Sequence, residues 1–175
     1  MNYILAFILI PLVAILTIPF LKVKGKSIAI ISAVILNAFI TSYFAIQALT
    51  GQYFELILQG TTFTGEIPLR LDALSAWFIL IFNLIMITGG FYGIFYMKAY
   101  KEQRSKLSLH SVAFISLHTA LLSLTLIQNS IVFLIAWEIM TFSAFLGVIF
   151  EHEKTATIKA GINYLRWVLK IHFEI

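Results

Sequence analysis

The stretch IVFLIAWEIMTFSAFLGVIF at residues 131–150 decides the fold, because it is long enough and apolar enough to cross a lipid bilayer. Glu138 lies near its middle. A charged side chain at the centre of a membrane helix costs roughly 2.5 to 3.5 kcal/mol on insertion scales, so it usually faces a protein interior or a water-filled path. We therefore take Glu138 as a candidate functional residue. The alternative is a protonated glutamic acid that joins two helices by a hydrogen bond.

The composition of the whole chain also indicates a membrane protein. Hydrophobic residues make up 61% of the 175 residues and charged residues 11%, whereas soluble domains are typically about 25% charged. Lys and Arg lie in short loops between apolar runs, so their excess follows membrane topology and no nucleic-acid partner is expected. The absence of cysteine excludes disulfides, thiolate zinc sites and cysteine-held iron–sulfur clusters within this chain.

Five apolar runs predict an all-α integral membrane protein with a single membrane domain. Each run approaches the roughly 20 residues that a helix needs to cross a hydrocarbon core of about 30 Å. The tail at 162–175 is too short to cross, so it is either an amphipathic surface helix or an interrupted sixth span. The predicted spans are residues 3–21, 28–49, 74–97, 111–127 and 131–150.

Two connections between these runs carry structural signals of their own. The long connection at 50–71 alternates polar and apolar residues, which predicts a short β-hairpin on the outer surface. The segment EHEKTATIKAG at 151–161 separates the fifth span from the tail, and we expect it to be a solvated loop.

The charges in the connections predict the orientation of the chain. The first loop carries three lysines and the third carries four basic residues, whereas the second is mostly acidic and the fourth has no charge. Basic loops remain on the cytoplasmic side. We therefore expect a multi-pass protein of the prokaryotic plasma membrane with its N-terminus outside.

Residues around the third span are assigned to helix structure rather than to chemistry. Asp72 precedes the apolar run, so we expect it to cap the helix and to lie with Arg70 in the headgroup layer, rather than to bind an ion. Gly89 and Gly93 have the spacing that lets a second helix approach closely. A phosphate-binding loop is not expected, since these glycines lie inside an apolar helix with no strand before them.

His118 is the second candidate for a proton path. Ser111, His118 and Thr125 repeat every seven residues, so they lie on nearly one helix face, which we expect to point inward. The short connection between the fourth and fifth spans predicts antiparallel neighbours, with His118 roughly 13 Å and Glu138 roughly 11 Å below the turn. We hypothesise that the two share one hydrated polar layer. The alternative is a structural histidine with a satisfied hydrogen bond.

From about residue 68 to 165 the chain resembles a known family. The segments LRLDALSAWF, YMKAY, NSIVFLIAWEIMTFSAFLGVIFE and TATIKAGINYL occur in this order. They resemble the N-terminal part of the antiporter-like, proton-conducting subunits of respiratory complex I, of energy-converting membrane hydrogenases and of multi-subunit cation/proton antiporters. Trp137 and Glu138, together with the preceding LDALSA segment, carry the resemblance. The run after Glu138 is most similar to the hydrogenase-associated members.

The resemblance implies a role for Glu138. In that family the matching glutamate lies on a central hydrated axis and pairs with a lysine from a later helix, which couples charge movement to proton uptake. Family members have many more spans than are predicted here, and this sequence lacks the partner lysine and the downstream relay residues. Lys154, Lys159 and Lys170 do not match the position of that lysine.

Two functions therefore remain open at this point. The first is part of a proton-translocating subunit of a membrane oxidoreductase complex, of the complex I type (NADH:quinone oxidoreductase) or of the hydrogenase type. The second is a nonconducting remnant or scaffold that packs against partner subunits. The expected partners are other membrane subunits and the lipid bilayer. We expect no cofactor and no catalysis in this chain, because it has no nucleophile–base set, no metal cluster, no nucleotide motif and no second buried haem ligand.

Overall fold

The computed structural model of the chain describes the backbone of residues 2–151 and 153–173, and the side chains of residues 3–151 and 153–168. This part of the chain forms six α-helices and one two-stranded antiparallel sheet. Short 3-10 turns follow α1, α3 and α5, at Ile18–Phe20, Met97–Tyr100 and Ile149–Glu151. The elements in chain order are α1 (Asn2–Thr17), α2 (Val23–Leu49), β1 (Phe54–Leu58), β2 (Ile67–Leu71), α3 (Ala73–Tyr96), α4 (Arg104–Leu124), α5 (Ser130–Val148) and α6 (Thr155–Phe173).

Five of these helices, α1 to α5, are long and apolar enough to cross a membrane. With the turns that extend them, the candidate spans are Tyr3–Phe20, Val23–Leu49, Ala73–Tyr100, Arg104–Leu124 and Ser130–Glu151. The predicted all-α membrane fold with a short sixth helix is confirmed. The chain is a multi-pass membrane protein.

The helices pack mainly as two pairs, α2 with α3 and α4 with α5, and α1 lies against α2 and α4. Small side chains occupy the contact of α2 with α3, where Ala45, Ala48 and Ala76 are buried beside Ile79 and Leu122. Small residues are useful there, because helices in lipid gain from close packing rather than from the hydrophobic effect. Helix α5 lies at the edge of the bundle and contacts mainly α4 and α6.

Two helices begin earlier than the predicted spans. Helix α2 starts at Val23 rather than near residue 28, and α4 starts at Arg104 rather than near residue 111. Hydropathy identifies only the apolar part of a membrane helix. The helix itself can begin earlier, with polar turns at its N-terminus. Because both helices begin earlier, the first and third loops are shorter than predicted. Some of the basic residues assigned to those loops lie in the added turns.

The expected loop at 151–161 was wrong in its second half, since α6 begins at Thr155. Gly161 lies inside α6, where the absence of a side chain lets the helix approach α5. A Cβ atom at Gly161 would collide with Ile149 and would lie 3.1 Å from the ring of Phe145. Residues 174 and 175 of the predicted tail lie outside the described residues, as does the side chain of Lys170.

The predicted hairpin is confirmed, with its second strand at the end of the alternating region. Phe54 pairs with Leu71 and Leu58 pairs with Ile67. The outer edge of β2 also binds the connection between α4 and α5: the Arg70 amide donates to the Leu126 carbonyl at 2.9 Å, and the Gln128 amide donates to the Pro68 carbonyl at 3.0 Å. The hairpin is therefore fixed to the bundle by backbone hydrogen bonds.

Asn129 completes this junction. Its Oδ1 accepts from the amides of Ile131 and Val132 at 3.0 and 3.1 Å, which caps α5. Its Nδ2 donates to the carbonyls of Thr64 and Glu66 at 2.8 and 2.9 Å. One side chain thus starts α5 and holds the tip of the hairpin.

Candidate functional site

A hydrogen-bonded cluster of polar side chains lies inside the apolar bundle, where α2, α3 and α4 meet. We call it the polar cluster. Ser42 is half-buried and the other members are buried. Buried polar groups within membrane spans are costly unless they are paired, so a connected set of this kind indicates either helix fixation or a path for polar species. Its members are Thr41, Ser42, Asn83 and His118, and Asn37 adjoins them through its backbone carbonyl, which accepts from Thr41.

The hydrogen bonds of Asn83 define which tautomer of His118 is present. The Asn83 Nδ2 atom donates to Thr41 Oγ1 at 2.9 Å, to Ser42 Oγ at 2.8 Å and to the Ala38 carbonyl at 3.3 Å. A carbonyl only accepts, so the amide NH₂ of Asn83 faces α2 and its Oδ1 faces α4. That oxygen lies 2.9 Å from His118 Nε2. His118 therefore donates from Nε2, and its neutral ring has the lone pair at Nδ1.

The donors of the polar cluster all point in one direction. His118 donates to Asn83, Asn83 donates to Thr41, and Thr41 Oγ1 donates to the Asn37 backbone carbonyl at 2.8 Å. The Asn37 side chain reaches the Phe7 carbonyl of α1 at 3.4 Å. Its Oδ1 is a buried acceptor without a hydrogen-bond partner in the described part of the chain. The linked side chains thus extend from α4 through α3 to α2, and the Asn37 side chain separately joins α2 to α1.

The inward stripe predicted for α4 is present at two of its three positions. Ser111 and His118 are buried, whereas Thr125 is half-buried and ends the helix. Imidazole is the one group among these side chains that can bind a further proton on a ring nitrogen, while hydroxyls can pass protons along hydrogen bonds. The satisfied bond to Asn83 also fixes α4 to α3. The geometry of His118 therefore suits both alternatives that the sequence left open.

Glu138 lies elsewhere. It is the ninth residue of the 19-residue helix α5, and its side chain is exposed. The exposed side chains around it are apolar, among them Leu134, Ile135 and Phe142. Within the described residues, the structure does not bring Glu138 and His118 into one buried environment. Their shared role in a proton path stays a prediction.

Asp72 and Arg70 occupy the junction of the hairpin with α3. Asp72 is the N-cap residue of α3, and its Oδ1 accepts from the Ser75 amide at 2.9 Å. This hydrogen bond lowers the pKa of the Asp72 carboxyl below its usual value, and the Arg70 charge contributes in the same direction. Arg70 Nε lies 3.7 Å from Asp72 Oδ2 and 3.6 Å from Glu55 Oε1, in a partly exposed group of charges.

The close helix approach expected at Gly89 and Gly93 is centred one residue away, on Gly90. A Cβ atom at Gly90 would lie 3.4 Å from Ile31 of α2 and 3.5 Å from Phe114 of α4. At Gly89 the corresponding distance to Phe114 is 3.8 Å, and at Gly93 there is open space within 4 Å. Gly93 borders a cavity, together with Gly89 and Gly90.

Three residues that the sequence analysis did not single out make buried hydrogen bonds between helices in the structure. Asn83 and Thr41 join the polar cluster, and the signal for Asn83 was its uncharged amide in the middle of an apolar run. Lys26 was assigned to a loop, yet it is buried in the first turns of α2. Its Nζ donates to the Arg104 carbonyl at 2.7 Å and to Ser108 Oγ at 2.5 Å.

Among the described residues, no group of three His, Asp or Glu side chains is placed to hold a metal ion.

Comparison with known proteins adds one relative to this geometry. The chain is 30% identical over 101 residues to Hydrogenase-4 component B of Escherichia coli (strain K12). The matched region is 57% of this chain and 14% of that protein, so it corresponds to a small part of the relative. No family model matches the chain. The chain is therefore a multi-pass membrane protein that is similar, over more than half its length, to part of a component of a hydrogenase.

Proposed function

We propose that this chain is part of an antiporter-like, proton-translocating subunit of a membrane oxidoreductase complex, of the hydrogenase type or the related complex I type. The observation that carries the proposal is the buried row that runs from His118 through Asn83 to Thr41. Similarity to Hydrogenase-4 component B supports the hydrogenase type. The whole activity belongs to an assembly that contains further helices or partner subunits.

The polar cluster gives this chain a group that can exchange protons inside the bundle. Neutral His118 donates from Nε2 to Asn83 and offers a lone pair at Nδ1, so the ring can take up a proton on Nδ1 and release it again from Nδ1 while the bond to Asn83 persists. The Asn83 amide orients the ring rather than accepting the proton, because an amide does not titrate near neutral pH. Thr41 and Ser42 supply the hydroxyl groups next to it.

Glu138 belongs to the proposal through its position on α5. An ionisable side chain near the middle of a membrane span usually faces a protein interior or a water-filled path rather than lipid tails. We propose that further helices of the assembly cover the exposed face that holds Glu138, Leu134 and Phe142. The family resemblance implies that a lysine from such a helix pairs with the glutamate.

Proton flux in membrane vesicles that contain the chain with its partner subunits tests the proposal. We expect Glu138→Gln to reduce the flux at least about tenfold, as removal of a proton-transfer group typically does. His118→Gln should reduce it comparably. Glu66→Gln is the matched control, because Glu66 is exposed in the hairpin connection.

A structural role is the second candidate function. The satisfied bond between His118 and Asn83 favours it, since that bond joins α4 to α3 without any transfer of protons. Under this alternative, Glu138→Gln and His118→Gln leave the flux unchanged while the assembly stays intact on native gels. That outcome would overturn the proton-translocating proposal.

A further inference from the structure

A cavity of about 750 Å³ opens between α2, α3 and α4 at the end of the bundle where the first and third loops meet. Contacts of Lys26 with Arg104 and Ser108 show that these two loops lie at the same end. Volumes of this size are typical of ligand sites. The cavity does not include Glu138, Asn83 or His118, so it is separate from the residues proposed for proton movement.

The charges that line this cavity are all positive. Among the described residues around it there is no aspartate or glutamate. Basic pockets between membrane helices attract acidic lipid headgroups. Each lysine near the surface contributes about 1 kcal/mol of binding free energy. The lining lysines are Lys24, Lys26, Lys98 and Lys101.

Lys26 is a buried cation without a carboxylate partner in the described part of the chain. Its ammonium group has three protons, and the two hydrogen bonds to Arg104 and Ser108 leave one donor. Buried charges are normally compensated by an opposite charge, because removing an ion from water is costly. An anion in the cavity would supply that compensation.

The rest of the lining is apolar and extends away from the lysines. Gly89, Gly90 and Gly93 form one wall, and the rings of Tyr92 and Phe114 border the same space. The distance along α3 from Gly89 to the level of Lys98 is roughly 13 Å, at about 1.5 Å per residue. A small soluble anion would fill only the basic end. A molecule with a negative head and a long apolar tail fits both ends.

We propose that this cavity binds one anionic phospholipid, with its phosphate headgroup at Lys26, Lys98 and Lys101 and one acyl chain along the glycine wall of α3. This site is independent of the proposed function, since it involves neither Glu138 nor the polar cluster. In this proposal, a bound acidic lipid stabilises the packing of α2, α3 and α4.

Native mass spectrometry of the full chain tests the site, with dioleoyl phosphatidylglycerol and dioleoyl phosphatidylcholine as probes. We expect the anionic lipid to be retained in preference to the neutral one. Lys98→Gln and Lys101→Gln should each weaken its binding about fivefold, which is the loss of one surface lysine expressed as an affinity ratio. Lys154→Gln and Lys159→Gln, made singly, are the controls, because each also removes one positive charge but neither lysine lines the cavity.

Two glycine substitutions test the apolar part of the cavity separately from its charges. Gly93→Leu should place a side chain in the cavity and weaken binding of the anionic lipid, with the lysines unchanged. Gly147→Leu is its control, since Gly147 also has open space around its Cβ position but lies on α5, outside the cavity. Lys26→Met should reduce binding too, and circular dichroism would show whether that variant keeps its helical fold.

Four results would overturn the proposal. The first is equal retention of the two lipids, and the second is equal binding by the Gly93→Leu and Gly147→Leu variants. The third is displacement of the lipid by inorganic phosphate alone, which would indicate a site for soluble anions. The fourth is a cross-link from Gly93→Cys to a partner subunit in native membranes, which would show a protein segment in the groove.

Discussion

His118 Nε2 lies 2.9 Å from Asn83 Oδ1, and this hydrogen bond joins α4 to α3 inside an apolar bundle. Replacing Asn83 by leucine should lower the free energy of unfolding by about 1–3 kcal/mol, because the His118 N–H donor would be left buried without an acceptor. Unfolding in mixed micelles, followed by circular dichroism, measures the change.

Thr88→Val is the matched control for this substitution. Thr88 lies on α3 as well, but it is exposed and its hydroxyl bonds only to backbone carbonyls of its own helix. The double variant Asn83→Leu with His118→Leu should recover part of the lost stability, since both polar partners are then removed. A single Asn83→Leu variant as stable as the original chain would contradict a structural contribution from this bond.

Asn129→Ala should destabilise the start of α5 by about 1 kcal/mol, the typical loss of an N-cap side chain. Asn129→Asp separates the two roles of this residue. Aspartate still caps the Ile131 and Val132 amides, but it cannot donate to the carbonyls of Thr64 and Glu66.

Hydrogen exchange measures the two effects separately. In the aspartate variant we expect continued protection of the Val132 amide and faster exchange at Gln128, which bonds to the hairpin. The alanine variant should lose protection at both positions. The same exchange pattern in the two variants would argue against a separate hairpin contact.

Gly90→Leu should lower stability by about 1–3 kcal/mol, the usual cost of forcing a large side chain into a packed contact. The position is enclosed by Ile31 and Phe114 at 3.4 and 3.5 Å. Gly93→Leu should be tolerated, because open space surrounds that position. Thermal unfolding in detergent compares the two variants, and equal losses would show that the two positions are equally packed.

The stability that Asp72 contributes should fall in acid. The Ser75 amide lowers the pKa of this carboxyl in the folded chain. A carboxyl whose pKa is lower in the folded state stabilises the fold at pH values above its unfolded pKa of about 3.9, and this contribution is lost as the pH falls through the folded value. Protonation therefore weakens the cap of α3.

Asp72→Asn tests this pH dependence, because asparagine caps a helix about as well but carries no charge. Protection of the Ser75 amide should decline below about pH 4 in the original chain and stay level in the variant. A decline of the same size in both proteins would assign the acid effect to other carboxyl groups.

Local patterns predicted much of this fold. Apolar runs of bilayer length gave α1 to α5, period-two alternation gave the hairpin, and a seven-residue repeat placed Ser111 and His118 inside. The position of Asp72 before an apolar run indicated its cap. Each of these features depends on residues that are close together in the sequence. A pattern within one sequence is therefore sufficient to predict them.

The candidate site was predicted only in part, because its geometry depends on which helices meet. His118 was identified from its own helix, whereas its partner Asn83 depends on how α3 turns toward α4. Equal depth below the turn did not bring Glu138 to His118, since depth says nothing about the direction of a side chain around its helix. The burial of Lys26 depends on the first turn of α4, far along the sequence.

The hydrogen bonds from Pro68 and Arg70 to the connection after α4 have a consequence for biogenesis. They close a chain loop that contains the whole of α3 and α4, so the ribosome must release both helices before the hairpin can dock. Synthesis of α3 and α4 therefore precedes docking of the hairpin, and a chain interrupted before Leu126 would leave β2 with an open edge for aggregation.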